Sequence, residues 1–160
     1  MKDVFQNLNV TELQALKDAL ALVTILIGNA DNEFDEKELE LAKKITHIRT
    51  YNSPEYLHDF YLSVEAEFNS TLDNLLNELP QDAALRNNEI STRLSSLNDI
   101  LKKLDPKAGA QLYRGYTRLA QEVAKASGGF LGFLSVNSEE AKWIKLPMLT
   151  PIIADDDEEE

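Results

Sequence analysis

Apolar residues recur along this chain at helical spacing almost from end to end. Leu13, Leu16, Leu20, Val23, Ile27 and Ala30 step by three and four, the stripe of a first helix. Between Val23 and Ile27 that stripe widens until the helix is apolar nearly all round, which predicts a central, buried element. Thr11 with Gln14 reads as its capping box, and Gly28 with Asn29 loosens its last turn. A second helix starts at Asp35, carries Leu39, Ala42, Ile45 and His47–Ile48 on its apolar side, and ends near Tyr51. Ser53-Pro54 reads as the cap and first position of a third helix, whose face of Tyr56, Leu57, Phe60, Tyr61, Val64 and Phe68 is rich in aromatics. Asn69-Ser70-Thr71 predicts a break, then a shorter piece from Leu72 to Leu79 that stops at Pro80.

Asp82 caps a longer helix in which Ile90, Leu94, Leu97, Leu101 and Leu104 recur at 4-3-4-3. Asp105-Pro106 is a stop and restart, and Leu112, Tyr116, Leu119, Val123 and Ala126 repeat the spacing. So short a connection predicts an antiparallel pair. Three glycines in SGGFLGFLS, Ser127 to Ser135, end that helix, and Asn137 with Glu140 opens a last one holding Trp143, Ile144 and Leu146. No stretch sustains an alternation of period two. The pattern predicts an all-α, single-domain helical bundle of about six or seven helices over residues 11–152. Residues 1–10 read as a lead-in, and 153–160 as a disordered acidic tail whose like charges repel.

Composition narrows the chemistry. The 160 residues carry no cysteine, which removes thiolate zinc sites and disulfide scaffolds and fits a cytoplasmic location. Net charge is −12; the run Asp155 to Glu160 supplies six of those charges, leaving about −6 on the body. Such a body repels nucleic acid and anionic lipid head groups and favours cations or basic partners. The N-terminus lacks the apolar core of a signal peptide, and no run approaches the ~18 apolar residues of a membrane span.

The densest chemistry lies in GNADNEFDEKELEL, Gly28 to Leu41, where Asp31, Glu33, Asp35, Glu36 and Glu38 crowd a turn between two helices. Asp35 and Glu38 stand at capping-box spacing, and acids gather at helix N-termini because the macrodipole favours them. Asp31 and Glu33 are freer to offer oxygens to a hard cation such as Ca²⁺ or Mg²⁺. The stretch is not an EF-hand: counted from Asp31, the sixth position is Glu36 where glycine is required and the twelfth is Ala42 where glutamate is required.

The two turns also align. Val23, Ile27, Ala30 and Asp31 correspond to Leu119, Val123, Ala126 and Ser127, and Phe34-Asp35-x-x-Glu38 corresponds to Val136-Asn137-x-x-Glu140. The run A-D-N-E-F-D-E-K-E, Ala30 to Glu38, resembles the A-D-G-x-hydrophobic-x-x-x-E signature of the TerB-like family, named for tellurite-resistance proteins. The later A-S-G-G and V-N-S-E-E segments resemble that family's second half, so the likeness spans roughly Leu13 to Leu146. Asp31, Glu38 and Glu140 fall on its acidic positions, whereas Asn32 replaces the usual glycine and Ser127 replaces an acid. The resemblance implies a helical bundle of the bacterial cytoplasm, a binding or scaffolding module in stress responses, without established catalysis. It also implies acidic patches that take divalent cations. Together with the spacing, it marks Asp31, Glu33, Asp35, Glu38 and Glu140 as the candidate metal ligands.

Rival readings come from other residues. An adaptor with no metal would use the FLGFL segment or the acidic tail to meet an unknown protein through a basic or hydrophobic patch. A hydrolase with a carboxylate-bound metal needs a cleft and a further ligand type, and the sequence shows no sign of either. His47 and His58, the only histidines, stand in no HExxH motif, and no G-x-S-x-G, G-x-G-x-x-G or Walker loop is present. The aromatic stripe of Tyr51, Tyr56, Phe60, Tyr61 and Phe68 reads either as core or as the lining of a pocket.

Overall fold

The computed structural model describes residues 3–28, 36–128 and 142–153. Among these the chain is all-helical. Five helices of thirteen residues or more are α1 (Val10–Gly28), α2 (Glu36–Asn52), α3 (His58–Glu78), α4 (Ala83–Ser95) and α6 (Pro106–Gly128). Two shorter elements join them: a 3-10 turn over Glu55–Leu57 and the single-turn α5 (Leu97–Leu101). No described helix is long and apolar enough to cross a membrane.

α1 is the centre. From Ala19 to Gly28 every residue is buried, as the widened apolar stripe predicts. Thr24 is the one hydroxyl in that run, and it donates back to the Leu20 carbonyl at 2.9 Å, so its own polar group is satisfied within the helix. α3 and α6 pack along α1, while α2 closes against α3 and α6. The helix starts two residues earlier than its Thr11–Gln14 pattern suggested. Asn9 Oδ1 accepts the Glu12 N–H at 2.8 Å, and Glu12 Oε1 accepts the Asn9 N–H at 3.0 Å. That reciprocal pair is a capping box, with Leu8 and Leu13 at its hydrophobic-staple positions.

Other boundaries move for identifiable reasons. α3 runs unbroken through Asn69-Ser70-Thr71, because Phe68, Leu72 and Leu75 are all buried and keep one stripe continuous. Ser70 Oγ merely donates to the Glu67 carbonyl at 3.2 Å. Packing here outweighs the weak local preference of three polar residues. Ser53-Pro54 opens the 3-10 turn instead of a helix, with no side-chain cap. On α2, Ala42 and Thr46 face inward; His47 and Ile48 face outward, against expectation. His47 pairs there with Glu65 of α3.

Asp82 does cap α4, accepting the Leu85 N–H at 3.0 Å. The expected long helix then divides at Ser96, whose hydroxyl bonds the Arg93 carbonyl at 2.6 Å. Ile90, Leu94, Leu97, Leu101 and Leu104 remain buried across the division. α4 takes α1 as its main partner, and its contact with α6, where the antiparallel pair was expected, is slight at most. With α5 inserted, the connection is no longer the short hairpin loop that such a pair needs. Arg93 ties α4 to α3, reaching Glu89 at 2.9 Å and Glu78 at 3.3 Å. Leu146, expected on the last helix, stands in a turn with φ 48° and is fully buried.

Candidate functional site

The acidic turn leaves the end of α1. Asp31, Glu33, Asp35 and Glu140 lie outside the described residues, as do the FLGFL segment and the run Asp155 to Glu160. Glu38 belongs to the first turn of α2. The described flanks nevertheless carry information. α1 stays helical and buried through Gly28, and its last turn holds no basic residue. Its carbonyl end is the negative pole of the helix dipole, and it runs straight into Asp31 and Glu33 in sequence. Two cross-links fix the relative sense of α1 and α6. Glu12, in the first turn of α1, pairs with Lys103, three residues ahead of α6. Further along, Tyr116 Oη of α6 donates to the Leu16 carbonyl of α1 at 2.8 Å. From Glu12 to Leu16 on one side and from Lys103 into α6 at Tyr116 on the other, the two contacts advance in the same chain direction, so α1 and α6 run in the same sense. Gly28 and Gly128, the points from which the two turns depart, therefore lie toward one end of the bundle.

The opposite end carries the described start of the chain. Residues 3–9 fold back there over the start of α1. Asp3 Oδ1 accepts the Phe5 N–H at 2.9 Å, and the Phe5 ring stacks on Phe60 at 5.3 Å between centroids. Phe60 meets Tyr61 edge-on at 5.1 Å. This arrangement leaves a surface cavity of about 370 Å³, walled by Asp3 and Phe5, floored by Leu13 and Lys17 of α1, and closed by Glu55, Tyr56, Asp59, Phe60 and Ser63. A second hollow of about 510 Å³ shares Asp3 and Tyr56 with it and extends to Lys103, Asp105 and Lys107. The sequence marked the aromatics as either core or pocket. Phe60, Tyr61 and Phe68 are core, whereas half-buried Tyr56 lines both hollows. In residues 1–10, which read as a lead-in, nothing before Asn9 points to Asp3 and Phe5 as cavity walls. The Asn9–Glu12 box was the available signal, since it fixes how the chain enters α1.

Electrostatics follow these contacts. Glu12 is held below the usual carboxylate range, first by the Lys103 hydrogen bond and then by the Asn9 N–H. Burial pushes the Tyr116 hydroxyl well above its ordinary value, with Tyr61 adding to the shift. Among the described residues no three His, Asp or Glu side chains converge on a point where a metal ion would sit. In comparisons with known proteins, no family model, curated protein or solved structure matches the chain.

Proposed function

We propose that this chain is a non-catalytic, TerB-like binding module of the cytoplasm, serving a stress response of the tellurite-resistance kind. Its ligand is a divalent cation, Ca²⁺ or Mg²⁺, taken at the acidic turn by Asp31, Glu33, Asp35 and Glu38 with Glu140 from the later turn. One observation carries the reading: α1 and α6 run in the same sense, so Gly28 and Gly128, which the two turns follow in sequence, lie toward one end of the bundle. The matched repeat positions Val23, Ile27, Leu119 and Val123 are all buried on those two helices, as a repeated helix-turn-helix unit requires. Charge supports it too. An acid-rich turn following the negative end of a helix with no basic residue in its last turn gains from a bound cation.

The test is thermal unfolding with and without Ca²⁺, Mg²⁺ or Mn²⁺. A cation at about 100 times its Kd stabilises the folded chain by about 2.7 kcal/mol. For a chain of this size that raises Tm by roughly 5–10 °C. Asp31→Asn with Glu33→Gln abolishes the rise, and removing residues 155–160 leaves it intact. A Tm unmoved by millimolar metal sinks the cation reading. Loss of the rise on tail removal favours the adaptor that works through its acidic tail.

A further inference from the structure

We propose that the cavity beside Tyr56 is a docking site for an arginine side chain of a basic partner protein. It lies at the end of the bundle where α1 begins, remote from the departure of the acidic turn, and does not rest on the cation reading. Its volume, about 370 Å³, is that of a small-ligand site and far exceeds a bare ion. Among the described residues the lining combines three aromatic rings, Phe5, Tyr56 and Phe60, with three carboxylates and one lysine, a balance of −2. The carboxylates do not converge closely enough to ligate a metal. They are spread around a hollow with aromatic walls, which suits a wide, planar, weakly hydrated cation. A guanidinium stacks on ring faces and offers N–H groups sideways to carboxylates, while its methylene stem covers apolar wall. An ammonium is compact and strongly hydrated, and gains less from such walls. The chain's charge of −12 draws basic partners toward the surface at long range. Glu55 and Asp59 are exposed at the rim, where an incoming side chain meets them first.

The experiment titrates the full chain, in chelator, with capped Gly-Arg-Gly and Gly-Lys-Gly peptides. Binding is read from side-chain NMR signals of Tyr56, Phe60 and Lys17. The arginine peptide shifts these signals and binds several-fold tighter than the lysine peptide. Glu55→Gln with Asp59→Asn weakens the arginine peptide about tenfold, as does Tyr56→Ala. Glu67→Gln with Asp73→Asn makes the same charge change at exposed positions elsewhere on α3 and leaves affinity within about twofold. Equal losses in the two charge-matched pairs, equal binding of both peptides, or shifts confined to other residues each overturn the proposal. All five replaced positions are at least partly exposed, and unchanged melting confirms that the variants are folded.

Discussion

The Tyr116 hydroxyl donates to the Leu16 carbonyl at 2.8 Å, deep in the bundle and a hundred residues apart in sequence. Both residues are fully buried. A phenol there fills core volume and also fixes how far α6 has advanced along α1, because one oxygen must meet one carbonyl. Replacing it by phenylalanine keeps the ring and loses the bond, at about 1 kcal/mol. Tyr116→Phe should lower Tm by roughly 2–4 °C in thermal unfolding.

The same residue gives the alkaline limb a shape. Burial holds the Tyr116 hydroxyl neutral well above its ordinary value. Unfolding restores that value, so above about pH 10 the unfolded chain binds fewer protons than the folded one. Stability contributed by this group is complete below that pH and lost as pH rises through the higher folded value. Denaturant unfolding of Tyr116→Phe above about pH 10 should show a shallower decline than wild type.

The opposite sign holds at Glu12. Its folded value is depressed by Lys103 and by the Asn9 N–H. That contribution is present above the ordinary carboxylate value of about 4.3 and disappears as pH falls through the lower folded value. Glu12→Gln keeps a side chain able to complete the capping box while removing the charge. Urea unfolding between about pH 5 and 2 should therefore show a flatter acid limb for Glu12→Gln and for Lys103→Met.

One amide side chain ties residues 148–150 to α5. Asn98 Nδ2 donates to the Met148 carbonyl and Asn98 Oδ1 accepts the Thr150 N–H, both at 2.9 Å. Asn98→Ala removes both bonds and should cost about 1–2 kcal/mol. Hydrogen exchange localises the effect: the Thr150 amide loses protection while amides of α1 keep theirs. Asn98→Asp keeps the acceptor for Thr150 but sets a carboxylate oxygen against the Met148 carbonyl, so at neutral pH it should be no more stable than Asn98→Ala.

At Gly115, α6 faces the ring of Tyr61 from α3. A Cβ there would stand 2.7 Å from Tyr61 Oη, with the ring's Cζ next at 3.9 Å. Alanine is preferred to glycine in a helix by about 0.8–1.0 kcal/mol. Gly115→Ala should nevertheless destabilise, because the hydroxyl must move. Adding Tyr61→Phe removes that oxygen and leaves the 3.9 Å contact, so Gly115→Ala should cost less in the Tyr61→Phe background than in the wild type. A double-mutant cycle by denaturant unfolding measures the coupling.

How much of this was legible in the chain varies by element. The all-round apolar stretch of α1 announced its burial, since only a central helix hides every face. Asp82 and Asp105-Pro106 marked helix starts correctly, because their side chains and backbone act on neighbours within three residues. Asn69-Ser70-Thr71 misled, because local preference is weak against a buried stripe that continues on both sides. The role of Asp3, Phe5 and Glu55 beside Tyr56 was invisible, because the cavity exists only when residues 3–9 return over α1. The acidic turn was conspicuous as composition, yet its relation to the later turn depends on the sense of two helices far apart in the chain.

By itself, then, the order of residues determined that this chain is helical, where most of its stripes lie, and how its charge is distributed along its length. Those properties arise from interactions within a few residues. Only the tertiary structure decided that α4 joins α1 in preference to α6, that α1 and α6 run in the same sense, and that an N-terminal phenylalanine walls a cavity. Each depends on which apolar faces cover one another at least cost, a choice among distant partners that no local pattern encodes.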